Sequence, residues 1–548
     1  MRAERAALAL LGLLGVGCRT RGGDVLSLVS NASTGAGGAT DAGAADVAGP
    51  PRDAGPPLPS TLYLSPDGND QNPGTQALPW LTFAHALPLL QPGSTLILLN
   101  GTYTNANSGF LQVFCGTNAV DGAPDNPITV RAQNERQAFI KGDGTGAPIE
   151  LSACSNWILD GIHAEEADAP REMGDEPGSV VVLTRCANVL ARRLLAAHPN
   201  RYLTASVYVV AHGAPSVMIE ESEALDFHYY GFHAYDSQSV VFRRDYAHSR
   251  DTADVAGGTP TTPPTEGDGG FLLSKSSFGT IENCVAEDVA DGFTIAGSRI
   301  VMGGHVQPMH DQLLGDVANG VSHAGYVLDS QCASTKPCTQ GDQIVSTAML
   351  ANDVSIGGAL GVMFTGGVDD TVESTSLFDF TDTGVSLAID AENMGLTSNA
   401  TVRATLVDAA GAPFGFHATG LNKWAFDRCD AFGPAMTFAP RDGHVTSALE
   451  SDPQLGGCLV YVPAGSPLKT SGGGASPDGG AASAGVGANI IGEYVNGQLT
   501  PTKLWDQTTG AFPCGATVAG LNDGALVDVS CTGVAARLHV GTMGCAIP

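Results

Sequence analysis

The chain has 548 residues, enough for several ordinary domains or for one long solenoid. Its formal net charge of −30 at pH 7 argues against nucleic acid as a partner, because the negatively charged protein and the phosphate backbone repel each other. The 71 glycines and 32 prolines favour many short strands and tight turns over long helices.

Residues 1–18 have the features of an export signal. Two arginines precede the apolar run Ala6–Val16, which is too short to remain in a bilayer as a spanning helix. The next residues resemble a bacterial lipoprotein cleavage box ending at Cys18, with Gly15 where that family usually has an aliphatic residue. The resemblance implies lipidation of Cys18 and an exported cell-envelope protein, held at the outer membrane or cell surface only by its lipid. Plain secretion is the alternative.

Two low-complexity stretches divide the rest of the chain. Residues 19–60 are rich in Gly, Ala, Asp, Ser and Pro and lack an apolar period, which predicts a flexible tether. Residues 471–488 form a second such linker, between a main body at 61–470 and a cysteine-containing extension at 489–548. We expect the extension to cover the last structural repeat, because an open sheet edge there would pair with other chains.

The main body opens with the segment Tyr63–Tyr103. Polar turn residues come first, then a predicted helical run at Leu81–Leu90, then an apolar strand at Thr95–Leu99. This segment resembles the opening of the right-handed parallel β-helices of the pectate lyase-like superfamily. The resemblance implies an all-β solenoid whose N-terminal helix covers the open end of the core.

Repeating units follow this opening. Each begins at a turn residue, and the five anchors are Asn156, Asn188, Ser216, Ser239 and Gly279. Two places after each anchor stands an apolar column: Ile158, Leu190, Met218, Val241 and Ile281. The residues seven and five places before each anchor belong to a preceding strand, and we expect both columns to face inward. The column seven places before the anchors is Ile149, Val181, Val209, Phe232 and Leu272. Stacking such coils would bury a core that no single coil could build.

A column of charged residues supports this register. Four places after the anchors stand Asp160, Arg192, Glu220, Arg243 and Asn283. Opposite charges would face each other between parallel strands spaced roughly 4.8 Å apart. We interpret this column as a structural ladder, each exposed pair contributing at most about 1 kcal/mol.

The positions six and four before the anchors should then face outward. They predict that one exposed strand face carries His212, His233, Tyr235 and Lys275, beside the long loop 249–269. β-Helical polysaccharide lyases bind substrate along such a face and remove the proton α to a uronate carboxylate, often with calcium. Chemically, Lys275 is the candidate base and Tyr235 the candidate acid toward the leaving oxygen, while the histidines would hold a carboxylate or polarise the carbonyl. The alternative is a set of polar residues scattered over a solvated face.

A second polar cluster follows the anchors by nine to eleven places. Its members are His198, Asp226, His248, Arg250, Asp251 and Asp288. We favour structural roles for them, although their carboxylates have the hard oxygen atoms that calcium prefers. Asp226 with Asp251 or Asp288 would be the pair to examine for glycoside hydrolysis.

The twelve cysteines of an exported chain predict disulfides. Cys332 and Cys338 bracket a polar loop and form the predicted local bridge, while Cys514, Cys531 and Cys545 would tie the C-terminal extension. The chain has no C-x-x-C pair, so zinc is disfavoured.

The first functional hypothesis is therefore a monomeric polysaccharide lyase that cleaves an acidic glycan by β-elimination, requiring no cofactor other than calcium if any. The rival hypothesis is a noncatalytic surface protein that binds a glycan or a cell-envelope partner. A glycoside hydrolase is the second alternative. The fold alone does not choose among them, because it hosts all three kinds of protein.

Overall fold

The structure is a computed structural model that describes most of the chain from residue 60 onward. The described residues are 60–168, 178–200, 205–249, 269–296, 310–329, 331–332, 343–344, 347–365, 369–388, 399–419, 423–440, 444–457, 459–463, 465–471, 485–490 and 492–503. The predicted signal, the tether, most of the second linker and residues 504–548 lie outside them.

Three parallel sheets form the body, and each complete coil of the chain adds one strand to sheet 1, then sheet 2, then sheet 3. Sheet 1 has fourteen strands: Thr61–Leu64, Thr95–Leu98, Ile128–Ala132, Trp157–Asp160, Val189–Arg192, Val217–Glu220, Val241–Arg243, Thr280–Glu282, His310–Leu314, Thr347–Ala351, Asp370–Glu373, Asn399–Arg403, Lys423–Asp427 and Val445–Thr446. Sheet 2 has twelve: Gly101–Thr104, Ala138–Lys141, His163–Glu165, Leu195–Ala197, Glu223–Leu225, Tyr246–His248, Val285–Glu287, Val317–Val321, Val354–Gly357, Ser376–Phe378, Leu406–Asp408 and Asp430–Phe432. Sheet 3 also has twelve: Leu111–Phe114, Ile149–Ser152, Val181–Thr184, Tyr208–Ala211, Tyr230–Tyr235, Gly269–Ser274, Asp291–Ala296, Ala324–Asp329, Leu360–Phe364, Thr383–Ala388, Phe414–Thr419 and Met436–Ala439.

This architecture confirms the predicted right-handed parallel β-helix. Its core contains a column of stacked aromatic rings, one from each successive strand of sheet 3. Ring centroids are 4.5 Å apart between Tyr208 and Phe232, 4.8 Å between Phe232 and Phe271, and 4.9 Å between Phe271 and Phe293. These distances match the spacing of parallel strands, so identical inward positions in neighbouring coils are in direct contact.

The predicted N-terminal cap is confirmed. An α-helix at Phe83–Ala86 continues into a 3₁₀ helix at Leu87–Leu89. The helix begins after Thr82, whose Oγ1 accepts a hydrogen bond from the His85 N–H at 3.1 Å. Phe83 and Leu87 are buried in the main core, so the helix closes the first coil with apolar side chains.

The predicted inward columns need correction. After the first four anchors the residue two places on is only half-buried, and the residues one and three places on fill the core, whereas Ile281 after Gly279 is buried as predicted. The cause is backbone geometry: Asn156, Asn188, Ser216 and Ser239 have φ between 51° and 57°, so each turns the next residue inward. In the fifth coil Phe278 takes this conformation at φ 56° instead of Gly279.

The same shift affects sheet 3 in two coils. Tyr208, not Val209, pairs with Phe232, and Phe271, not Leu272, pairs with it on the other side. Val209 and Leu272 therefore belong to apolar clusters on the outer face. The segment between the sheet 3 strand and the next anchor differs by one residue between coils. A fixed count back from the anchor therefore selects the wrong residue in these two coils.

The charge ladder is present, but it is buried and not exposed. The paired column runs from Asp160 through Arg192, Glu220 and Arg243 to Glu282, which takes the place predicted for Asn283. Arg192 Nη2 lies 3.1 Å from Asp160 Oδ2, and Arg243 Nε lies 2.6 Å from Glu282 Oε1. Since Asp160 and Glu282 are 2% and 0% exposed, the estimate for exposed pairs does not apply.

The described part of the C-terminal extension lies along the side of the β-helix. Gly492–Val495 and Gln498–Lys503 form an antiparallel hairpin. Backbone N–H groups of Asn496 and Gly497 donate to the two carboxylate oxygens of Glu282 at 2.9 and 2.8 Å. The hairpin thus covers the end of the charge ladder in the middle of the solenoid. Two small elements complete the fold: a helix at Leu468–Ser471 and an antiparallel pair, Gln331–Cys332 with Gln343–Ile344.

One disulfide joins Cys115 to Cys154, a pairing that the sequence did not suggest. Cys186, Cys284 and Cys429 are buried free thiols. The predicted Cys332–Cys338 bridge and the three C-terminal cysteines lie outside the residues whose side chains are described. In the described part of the chain no helix is long and apolar enough to cross a membrane.

Candidate functional site

The four residues of the predicted catalytic face meet at the corner where sheet 3 ends. Tyr235 is the last residue of its strand and pairs with Ala211 and Ser274 in the neighbouring coils. His212 and Lys275 each follow a strand by one residue, with φ 59° and 50°. They are corner residues and not members of the strand face, which corrects the predicted placement. Because the corner directly follows the strand, their side chains still reach Tyr235.

Lys275 and Tyr235 form the central contact of this corner. Lys275 Nζ donates to Tyr235 Oη at 3.4 Å and lies 5.1 Å from the ring centroid. The ring of His212 meets the Tyr235 ring edge-on, with centroids 6.0 Å apart. Lys275 and Tyr235 are partly accessible and His212 is exposed, so a ligand can reach all three.

His233 lies on the same strand as Tyr235, with ring centroids 6.1 Å apart. Burial lowers the pKa of His233 to about 4, so the imidazole is neutral at neutral pH. Part of the ring remains accessible, but Nε2 is enclosed and has no hydrogen-bond partner among the described residues. Ser206 Oγ is 3.5 Å from Nδ1. His233 therefore supplies no positive charge, and its enclosed Nε2 is not open to a ligand in this structure.

The corner contains a further cation that the sequence patterns missed. Arg185 follows the strand two coils before that of Tyr235, is exposed, and has φ 54°. Its Nη2 donates to Ser152 Oγ at 3.4 Å. Arg185, His212 and Lys275 therefore stand in a row along the axis of the β-helix. Asp236, which follows Tyr235, occupies the position between His212 and Lys275. Arg185 could have been found from the sequence as the residue directly after a sheet 3 strand. Counting four places back from the anchor Asn188 selected its neighbour Thr184 instead.

An aromatic wall borders the site on the outer face of sheet 3. Tyr230 packs against Leu272 and Ala296, with Tyr229 at its edge. The Tyr230 ring lies directly on the backbone of Gly269, where an added Cβ would come within 2.1 Å of Cε1. Glycine at this position is what allows the ring to lie flat against the sheet.

The second predicted cluster lies at a different corner, after sheet 2. His198 Nε2 is 3.6 Å from Asp226 Oδ2, and His248 Nε2 is 3.3 Å from Asp288 Oδ2. Asp226 and Asp288 are two coils apart, and both have positive φ. These contacts fit the structural role that we favoured. Arg250 and Asp251 lie outside the described residues.

Among the residues that the structure describes, no group of three or more His, Cys, Asp or Glu side chains is arranged to hold a metal ion. The two His–Asp pairs each supply only two such groups.

Comparisons with known proteins give one partial sequence match and several solved structures of low similarity. No family model matches the chain. The uncharacterized protein YwoF of Bacillus subtilis (strain 168) is 35% identical over 82 residues, which span 15% of this chain and 16% of that protein.

Solved structures with a similar chain path include pectate lyase Pel9A, with 13% identity, a TM-score of 0.37, and coverage of 75% of this chain and 90% of that chain. The PL6 family alginate lyase AlyGC has 13% identity and a TM-score of 0.40, covering 72% of this chain and 53% of that chain. A rhamnogalacturonan lyase has 14% identity and a TM-score of 0.41, covering 66% and 85%. Similarity at this level carries no argument about activity.

Proposed function

We propose that the protein binds an acidic polysaccharide at the corner that follows sheet 3 and cleaves it by β-elimination. The contact between Lys275 and Tyr235 carries this proposal, because it places an amine and a phenol together at an accessible position. β-Elimination needs one group to remove a proton and another to supply one.

The row of cations supports an anionic ligand. Adjacent coils are about 4.8 Å apart, so Arg185 and Lys275, three coils apart, are separated by roughly 14 Å along the axis. No salt bridge joins either residue to a carboxylate within the described part of the chain. A row of this length suits several sugars of a chain, and it supplies local attraction on a protein of net charge −30.

The chemistry uses both residues. Lys275, as the neutral amine, removes the proton α to the uronate carboxylate. The resulting electron pair forms a carbon–carbon double bond as the bond to the leaving oxygen breaks, and the Tyr235 hydroxyl protonates that oxygen. This leaves an ammonium and a phenolate, and the 3.4 Å contact provides a direct path for the proton to return. Because the base is the neutral amine, the rate should rise toward alkaline pH.

Noncatalytic binding is the second candidate, and one observation favours it. The Lys275 ammonium lies within cation–π distance of the Tyr235 ring, a geometry that holds the charge in place. A charged lysine fixed in this way binds a carboxylate without removing a proton.

The test incubates the full chain with a panel of uronate polysaccharides, with and without calcium, and follows ultraviolet absorbance of the new double bond. We expect activity that Lys275→Ala abolishes and that Lys141→Ala, an exposed lysine on sheet 2, leaves unchanged. Silence across the panel would overturn the lyase proposal. Retained glycan binding that requires Arg185 and Tyr235 would then support the binding candidate, and reducing sugar without absorbance would indicate hydrolysis.

Export and lipid anchoring at Cys18 are proposals that rest on the N-terminal sequence alone. The wild-type protein should fractionate with membranes, and Cys18→Ser should release it. Release of the wild-type protein into the soluble fraction would favour plain secretion.

A further inference from the structure

A column of polar side chains runs through the interior at the corner between sheets 1 and 2. It occupies the position just before seven successive strands of sheet 2, and its members are Ser222, Asp245, Cys284, Asp316, Asp353, Thr375 and Thr405. All of them are 0% exposed. Three carboxyl groups therefore lie inside the β-helix, at a distance from the proposed glycan site.

Each aspartate accepts a backbone hydrogen bond from the coil before it. The Ser222 N–H donates to Asp245 Oδ1 at 2.8 Å, the Cys284 N–H to Asp316 Oδ1 at 2.7 Å, and the Asp316 N–H to Asp353 Oδ1 at 2.9 Å. One oxygen of each group thus tethers adjacent coils. This role requires an acceptor oxygen, which a neutral carboxyl group also provides.

The second oxygens are less well satisfied. Oδ2 of Asp245 and Oδ2 of Asp353 are buried without a hydrogen-bond partner among the described residues, whereas Asp316 Oδ2 accepts from the Leu314 N–H at 3.0 Å. At the same position of other coils, Ser222, Thr375 and Thr405 donate their hydroxyl protons to the carbonyl two residues earlier. Neutral groups therefore occupy the equivalent positions, and an ionised carboxylate here would lose its hydration without gaining an ion pair within the described part of the chain.

Neighbouring acidic side chains oppose ionisation, while backbone N–H groups, including those of Ser222, Cys284 and Asp316, partly favour it. Glu220, Glu221 and Glu282 approach from the outside of sheet 1, and Asp316 and Asp353 face each other. The remaining titratable neighbours are Cys284, Tyr208, Tyr326 and Tyr494, which are neutral at neutral pH. No salt bridge to the three aspartates is present within the described ranges. Burial and these acidic neighbours raise the pKa of Asp245, Asp316 and Asp353 well above the ordinary value.

We propose that the interior aspartates Asp245, Asp316 and Asp353 form a pH-dependent stability device, whose contribution to the stability of the β-helix is larger in acid than at neutral or alkaline pH. In the unfolded chain these carboxyl groups ionise near pH 4, so above that pH the folded state holds more protons than the unfolded state. Stability from this source is fully present below about pH 4 and decreases as the pH rises toward the folded-state pKa values. Each group changes the unfolding equilibrium constant by up to about tenfold per pH unit in this window.

The experiment measures unfolding of the full chain from about pH 4.5 to about pH 8, for wild type and for Asp245→Asn and Asp353→Asn. Asparagine keeps the acceptor oxygen and removes the ionisable group. We expect both variants to gain stability relative to wild type as the pH rises, by at least tenfold in the unfolding constant across this range. The exposed Asp125→Asn is the matched control and should show no such gain.

A gain that does not depend on pH, or a loss of stability at alkaline pH in both variants, would overturn the proposal. Infrared spectroscopy of the wild-type protein provides a second readout that needs no variant to fold. The carbonyl band of protonated carboxyl groups should be present at neutral pH, and its absence would mean that the column is ionised.

Discussion

The two corners that flank sheet 1 use charged residues in different ways. At the corner toward sheet 2, Asp160, Arg192, Glu220 and Arg243 alternate in sign, form buried ion pairs and are partly covered by the C-terminal hairpin. At the corner after sheet 3, the cations stand in a row that remains accessible. The same coil repeat builds both rows. In the ladder, alternating signs form ion pairs and indicate structure, whereas the cations Arg185 and Lys275 form no salt bridge within the described residues and indicate a ligand.

The largest effect should come from the proposed base. Lys275→Ala should lower the elimination rate by about 10²–10⁴-fold, because the step loses its proton acceptor. The free energy of unfolding should change by less than about 0.5 kcal/mol, as for other surface positions. Ultraviolet absorbance measures the rate, and denaturant unfolding measures the stability. A large loss of stability would show that Lys275 has a structural role like that of the ion-paired ladder residues.

Breaking the buried ladder should lower the stability of the fold and leave the elimination rate unchanged. Arg192→Ala leaves Asp160 with one of its two arginine partners in a nearly dry position. Because Arg193 still pairs with Asp160, we expect a loss of about 1.5–3 kcal/mol in the free energy of unfolding, with the rate per folded molecule unchanged. Chemical denaturation tests this, with Arg185→Ala as the matched arginine control. If both variants lost the same free energy of unfolding, the two corners would not differ in their contribution to stability.

The hairpin should depend on the end of the ladder. Glu282→Gln retains one acceptor for the Asn496 and Gly497 N–H groups but removes the charge that pairs with Arg243. The loss of charge-assisted hydrogen bonds should weaken docking by roughly 1.5–3 kcal/mol. Hydrogen exchange at Asn496 and Gly497 should accelerate while exchange in the N-terminal coils stays the same. Unchanged exchange at the hairpin would show that apolar contacts alone hold it.

The smallest effect concerns affinity. Arg185→Ala should weaken glycan binding about two- to fivefold, because an exposed charge pair contributes little. The salt dependence of binding should also decrease, since one cation has been removed. Isothermal titration at two salt concentrations measures both quantities. Binding that is stronger in the variant would exclude Arg185 from the ligand row.

Several features of the fold followed from the sequence. The segment Tyr63–Tyr103 predicted the cap and the solenoid. The charged column from Asp160 to Arg243 predicted the register of sheet 1. The register of sheet 3 was less predictable, because single-residue changes in the loops after Tyr208 and Phe271 shifted the columns. The Cys115–Cys154 bridge was missed because partners 39 residues apart meet only when the coils stack.

The amino-acid sequence by itself determined that the chain stacks coils, because apolar alternation and turn residues recur locally and need no long-range information. It also selected Lys275, Tyr235, His212 and His233 as one group. Only the tertiary structure decided that two of them are corner residues, that His233 is neutral, and that Arg185 joins the row. Those properties depend on burial and on contacts between coils, which arise when strands distant in sequence are brought about 4.8 Å apart.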